Sequence, residues 1–265
     1  MQRIENTVWW VTGASSGIGK SIAQFLLRHQ AKVVLSSRNK EALVAVITEC
    51  NVSEDQYLIL PLDLENMVDV DIYVNTVIEK FSRIDYLINN GGISQRSLAA
   101  ETGIEVIRKI METNFFGTVA LSKAVLPIMI QQQSGHIAAM SSVVGKFGFP
   151  LRSSYSASKQ ALHGFFESVR AENTIHNLYV SMIIPGRINT SISNNALSKD
   201  GQKHGVLDQG QADAMSPDKA APIIIKGILN HKKEILVGGK ELLMVHIRRW
   251  LPRLFYYLST KVNPK

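Results

Sequence analysis

Tyr155 and Lys159 are the residues from which chemistry can be built. They stand four apart in SSYSASKQALHGFFES (residues 153–168), and Ala161, Leu162, Phe165, Phe166 and Val169 follow at helical spacing. Side chains at i and i+4 share one face of a helix, one turn apart. An ammonium held there favours phenolate and so lowers the phenol's pKa. Tyr155 would then give and take protons near neutral pH. Y-x-x-x-K alone is a weak signal, because both residue types are ordinary in helices. Its weight depends on what the chain places beside it.

The second candidate is TGASSGIG, residues 12–19. Before it runs TVWWV (7–11), short, apolar and β-branched or aromatic, which predicts a buried strand. After it, Ile22, Ala23, Phe25, Leu26 and Leu27 predict a helix. Strand, glycine-rich turn and helix N-terminus together make an anion site, since backbone N–H groups and the helix dipole point at the turn. Gly13 permits the turn, Gly17 lets phosphate approach the backbone, and Gly19 lets helix and strand pack. The spacing is G-x-x-x-G-x-G and not the general G-x-G-x-x-G fingerprint. The alternative is a glycine turn that binds nothing.

The second strand, KVVLS (32–36), ends in Ser36, Ser37 and Arg38. In a dinucleotide-binding fold an acid at this place would bond the ribose 2′-hydroxyl, whereas a cation would accept a 2′-phosphate. No acid is present, and Arg38 can fork onto phosphate. NADP(H) is therefore favoured over NAD(H), the alternative for Arg38 being a solvated loop cation.

The elements that must position these groups alternate as strands and helices. A helix capped by Asn39 runs to Asn51, QYLIL (56–60) is the third strand, and Asp63 lies just past it at the sheet's ligand-binding edge. A helix over 67–81 leads to the fourth strand, IDYLI (84–88), which ends in Asn89, Asn90, Gly91 and Gly92. That loop can take positive φ and pass close to a ligand, or serve simply as an Asn-capped turn. Residues 103–131 hold two helical patterns with Asn114 between or inside them, an amide where propensity disfavours one. It either holds a kink or a water, or is plainly buried. GHIAAM (135–140) is the fifth strand and ends in Ser141 and Ser142, of which one can point inward. LYVSMII (178–184) is the sixth and ends in PGRINT; EILV (234–237) is the last. Residues 191–216 are polar and long for a loop, which predicts a substrate-covering lid. Ser216 caps a helix through Leu229.

Composition bounds the rest. The chain has 265 residues, 45% hydrophobic and 19% charged, which suits one large α/β domain. The single Cys50 cannot form an internal disulfide. No G-x-S-x-G elbow is present, and none of the seven histidines has metal-ligand spacing to another His or Cys, so no metal is expected. The N-terminus lacks an apolar signal region, and no apolar run reaches the length of a membrane span. A cytoplasmic protein is the expectation. The net charge is +7, and residues 240–265 carry six cations against one anion, Glu241. The remainder is near neutral, which argues against nucleic-acid binding. This tail interleaves Leu242, Leu243, Val245, Ile247, Trp250, Leu251, Leu254, Phe255, Tyr256 and Tyr257 with Arg248, Arg249 and Arg253. It predicts a basic amphipathic helix broken at Pro252, lying either on an anionic membrane surface or against the protein.

TGASSGIG (12–19), NNGG (89–92), Ser142 with Y-S-A-S-K (155–159), and P-G-x-x-x-T (185–190), in this order, resemble the short-chain dehydrogenase/reductase family. The resemblance implies a single doubly wound Rossmann domain over 1–239, with a seven-stranded parallel sheet and helices on both faces, plus the extension 240–265. It implies Asn114, Ser142, Tyr155 and Lys159 as the catalytic set, with Ser142 thirteen residues before the tyrosine. The implied cofactor residues are Gly13, Ser15, Ser16, Gly17, Ile18, Arg38, Asp63, Leu64, Asn90, Gly91, Tyr155, Lys159, Pro185, Gly186, Ile188 and Thr190. Asp63 and Leu64 would hold adenine, Asn90 would lie by the ribose, and Ile188 and Thr190 would hold the carboxamide and pyrophosphate. Lys159 would bond the nicotinamide ribose, and Asn114 would hold a relaying water. Gly92 departs from the family's usual Ala, which should loosen that loop. Hydride transfer between nicotinamide and a carbonyl or secondary alcohol is the implied reaction, with a lipophilic substrate and a homodimer or homotetramer as expectations. A dinucleotide-binding redox sensor without turnover is the alternative, and the complete Ser, Tyr and Lys set argues against it.

Overall fold

The structure is a computed structural model that describes residues 4–206, 214–259 and 261. Its centre is a sheet of seven parallel strands: β1 (Val8–Thr12), β2 (Lys32–Ser36), β3 (Tyr57–Ile59), β4 (Tyr86–Asn89), β5 (Gly135–Met140), β6 (Leu178–Pro185) and β7 (Glu234–Val237). They lie in the order β3-β2-β1-β4-β5-β6-β7. The strand residues are apolar on both faces because helices cover both faces. Trp9, Val11, Val33 and Leu35 pack under α1 (Gly17–Arg28), α2 (Lys40–Cys50) and α7 (Pro217–Leu229). Val8, Trp10, Val34 and Leu87 pack under α3 (Val70–Phe81), α5 (Gly117–Gln132) and α6 (Ser153–Glu172). The alternation along β1 assigns one tryptophan to each core. Strand order reverses between β1 and β4, which opens a crevice at their carboxyl ends.

The predicted caps are present: the Asn39 side chain accepts from Ala42 N–H and the Ser216 side chain from Lys219 N–H. The expected helix over 67–81 begins later, at Val70, after a left-handed Asp69. The two patterns over 103–131 become α4 (Ile104–Met111), a five-residue π-helical turn (Glu112–Phe116) and α5. Among the described residues this run alone is long and apolar enough to cross a membrane, yet its Ile110, Leu121, Val125 and Met129 are core residues of the domain.

The first part of the expected lid is packed down. Ser193 and Ala196 are fully buried, and Leu197 bridges to Gln95 and to Lys203. Residues 207–213 of that segment lie outside the described residues. The tail forms α8 (Leu243–Trp250) and α9 (Pro252–Ser259), with Pro252 as the first residue of the second helix, where its missing N–H costs nothing. Residues 260 and 262–265 of the tail lie outside the described residues.

Candidate active site

The glycine turn is built for close approach. Gly13 and Gly17 take φ of +64° and +53°, a region that favours glycine. Ser16, at the N-cap of α1, makes no side-chain cap bond, and the first turn holds no acid. The first-turn N–H groups are thus presented together with the helix dipole. Gly19 proves to close the turn more than to pack helix on strand: a Cβ there would lie 2.3 Å from Gly13 O and 2.4 Å from Asn90 Nδ2. Across the turn, a Cβ on Gly17 would meet Thr190 Cγ2 at 3.0 Å. A cleft of about 810 Å³ runs here, lined by Gly17, Lys20, Asn189, Thr190 and Asp218 among others. Ser15 and Ile18 are half-buried in the turn, and Arg38 is exposed just beyond β2.

The β4 loop joins this turn to the candidate chemistry. Asn90 Nδ2 donates to Thr12 O at 3.0 Å and to Gly13 O at 3.2 Å, so its amide braces the glycine turn. Thr12 Oγ1 accepts from the N–H groups of Asn90 and Gly91, both at 3.0 Å. A Cβ on Gly91 would lie 2.6 Å from Leu64 Cδ1, and Asp63 Oδ1 accepts from Glu65 N–H at 3.0 Å. At Gly92 a Cβ would come 2.9 Å from Asn114 Oδ1 and 3.4 Å from Lys159 Nζ. Both flanks of the loop are tied down, by Asn90 on one side and by Ile93 on the other.

Asn114 sits in the π-helical turn and is fully buried. Its Oδ1 accepts from Ile93 N–H at 2.8 Å, and its Nδ2 donates to Ile93 O at 2.9 Å and to Ser158 Oγ at 3.0 Å. The amide is thus a clamp between the β4 loop and α6. Ser141 and Ser142 point apart, as an extended pair must. Ser142 accepts from Val144 N–H at 3.4 Å and faces Tyr155, whose phenol it draws downward in pKa. Ser141 turns to His163 Nε2 at 2.9 Å and donates to Lys159 O at 3.3 Å.

Tyr155 is 7% exposed. Burial pushes its phenol above the ordinary value, opposed by Arg152, by Ser142 and by Arg96. The net direction is upward, where the spacing of Tyr155 and Lys159 alone pointed down. The Lys159 ammonium donates to Met140 O at 2.7 Å and lies 5.8 Å from the centre of the Tyr155 ring. Burial pushes Lys159 itself down to about 8.

Sequence reasoning missed three features of the site because each is a contact between distant parts of the chain. Gln95 and Arg96 are buried, and Gln95 meets the start of α6 at Ser154. Lys146 bridges Glu234 and His163, and Glu167 lies within the same cluster. Finally, the tail packs against the face that carries Tyr155. Phe255 is 4% exposed and packs with Val144, Phe147 and Tyr155, joined by Met244, Val245 and Ile247. Glu241 accepts from Arg187 N–H at 2.7 Å and from Gly239 N–H at 2.9 Å, where it would collide with any side chain at Gly186. Pro185 and Ile188 are buried.

A family model described as short chain dehydrogenase matches residues 7–201. The Dehydrogenase/reductase SDR family protein 7-like of Drosophila melanogaster is 40% identical over 256 residues, covering 95% of this chain and 78% of that protein. A crystal structure of a short-chain dehydrogenase from Streptomyces avermitilis shares 27% identity with a TM-score of 0.82 and covers 97% of both chains. At 20% identity, a short chain dehydrogenase/reductase from Burkholderia phymatum, solved in complex with NAD, shares the fold with a TM-score of 0.84, covering 100% of this chain and 98% of that one. A match of this extent over the glycine turn, the crevice and the Tyr155 helix leaves one conclusion: the chain belongs to the short-chain dehydrogenase/reductase family of NAD(P)-dependent oxidoreductases.

Proposed function

We propose that the protein is an NADP(H)-dependent oxidoreductase that interconverts a lipophilic carbonyl compound and its secondary alcohol, with Tyr155 as acid and base. The observation that carries this is the β4 loop, which braces the glycine turn through Asn90 and reaches Lys159 at Gly92, so cofactor cradle and phenol share one crevice. The residues present fit a dinucleotide: uncapped first-turn N–H groups, two left-handed glycines, and no acid after β2. Bound there, the nicotinamide supplies or takes the hydride. In the reductive direction Tyr155 gives a proton to the carbonyl oxygen, and the Ser142 hydroxyl hydrogen-bonds that oxygen as charge builds on it. Lys159 stabilises the tyrosinate left behind. Asn114 keeps loop and helix in register through Ile93 and Ser158. The apolar wall of Val144, Phe147 and Phe255 supports a lipophilic substrate.

The test is oxidation of NADPH and NADH, in parallel, with a panel of ketones that includes cyclohexanone, acetophenone and benzil. Arg38→Ala should raise KM for NADPH by about tenfold or more while leaving KM for NADH unchanged, because a charge-assisted bond to a 2′-phosphate is lost. Equal effects on both would remove the cofactor preference.

The tail supports peripheral membrane contact. Its outer side exposes Trp250 (71%), Leu251 (55%), Leu254 (43%) and Tyr257 (60%) among arginines, a combination suited to an anionic lipid surface. Flotation with phosphatidylserine-containing vesicles should retain the full chain and lose a chain ending at residue 239. Equal flotation of both would sink this placement.

A further inference from the structure

We infer that Gln95 is a positioning residue for the reaction: from the loop after β4, it caps the helix that carries Tyr155 and Lys159. This deepens the reductase reading above and rests on it. A helix start leaves N–H groups without intrahelical partners, and a side-chain oxygen normally takes one of them. At α6 the N-cap residue is Arg152, whose side chain makes no cap bond. The oxygen comes from 59 residues away: Gln95 Oε1 accepts from Ser154 N–H at 2.9 Å, and the Ser154 hydroxyl donates to the same oxygen. A backbone N–H can only donate, so this bond fixes which end of the amide faces the helix.

The other end is equally engaged. Gln95 Nε2 donates to Thr102 Oγ1 at 2.8 Å and reaches Ser97 O and Ser97 Oγ, each at 3.2 Å, and Ser153 Oγ at 3.3 Å. The side chain is fully buried. A buried amide is tolerated when its hydrogen-bonding capacity is met, and here meeting it draws three elements together. The loop after β4 supplies Gln95, α6 supplies Ser154, and Leu197 of the following segment pairs with Gln95 in a bridge. Asn114 does the same one turn further on, at Ser158. Two buried amides thus hold α6, Gln95 from the loop after β4 and Asn114 from the π-helical turn, one just before Tyr155 and one just before Lys159. None of the Gln95 side-chain bonds reaches the glycine turn. The residue therefore acts on where the phenol points and leaves cofactor binding alone.

The experiment compares Gln95→Leu and Gln95→Glu with the parent as NADPH complexes. It reads kcat and KM for benzil, NADPH affinity by fluorescence, and hydrogen exchange of a peptide spanning 150–160. Gln95→Leu should lower kcat by about tenfold to a hundredfold, as a small misplacement of a reacting group does, with NADPH affinity within about twofold. Exchange in the first turn of α6 should rise by about tenfold. Gln95→Glu keeps the acceptor for Ser154 N–H and should recover most of both losses. The inference is overturned by a kcat for Gln95→Leu within twofold of the parent, by unchanged exchange, or by a Gln95→Glu variant no better than Gln95→Leu. NADPH affinity falling in step with kcat in both variants, or failure of both to fold, marks a merely structural amide and overturns it too. If the parent reduces no ketone of the panel, the reductase reading is what fails, and the exchange result alone then decides the cap.

Discussion

Tyr155→Phe is expected to lower kcat by about a thousandfold, with NADPH affinity unchanged. Removing a positioned general acid typically costs a factor of 10²–10⁴. The change deletes one oxygen from a ring that keeps its packing against Val144, Phe147 and Phe255. It also leaves the Asn90 brace on Gly13 untouched. Steady-state NADPH oxidation and a fluorescence titration of the cofactor check the two halves. A variant with near-normal kcat would mean that some other group donates the proton. The pH dependence has a definite sign. Burial raises the phenol's pKa, so the neutral, proton-donating form persists through neutral pH, and reductive kcat should fall only on the alkaline side.

Lys159→Met is expected to abolish most turnover and yet raise the melting temperature of the cofactor-free protein at pH 7. Lys159 is 3% exposed, and burial pushes it from 10.5 down to about 8. A lowered lysine pKa means that the fold disfavours the ammonium. Below pH 8 folded and unfolded chains both carry the proton, and the full cost is present. Between 8 and 10.5 the folded chain sheds its proton first, so stability from this group rises with pH until the cost is gone. A shift of this size corresponds to about 3 kcal/mol, part of which the bond to Met140 O offsets. Methionine fills the space without a charge, so a gain of a few degrees at pH 7 is expected, shrinking as pH approaches 10.5. Thermal melts of both proteins at pH 7 and pH 10 check it, and a lower melting temperature for the variant at pH 7 would overturn the account. The lysine is then a residue kept at the expense of stability for what it does beside the phenol.

What could be read in the sequence is what neighbouring residues decide. Lys32–Ser36, Gly135–Met140 and Glu234–Val237 are strands over the predicted residues, because a short apolar run between turn signals has one use in an α/β chain. Asn39 and Ser216 cap their helices because the partner N–H lies three residues away. The glycine turn was legible for the same reason. Contacts between distant residues were not. Nothing near Gln95 announces that its partner is Ser154, and nothing near Phe255 announces Phe147. The spacing of Tyr155 and Lys159 put them on one helix, but it could not show that the ammonium would turn to Met140 O. The long polar segment read as a lid, but nothing in it announced that its opening residues would be anchored by Ser193, Ala196 and Leu197.

The π-helical turn at Glu112–Phe116 has a consequence for how this region tolerates change in length. Such a turn amounts to one extra residue threaded into an α-helix. Each α-helical residue advances the helix by about 100°, so the extra one resets the phase between the two halves. Val106 and Ile110 upstream, and Leu121, Val125 and Met129 downstream, all face inward, while Asn114 is thrown toward α6. Excising a single residue from 112–116 would heal the helix into uniform geometry and misalign one half with its core. A one-residue deletion here should therefore be far more damaging than most substitutions nearby.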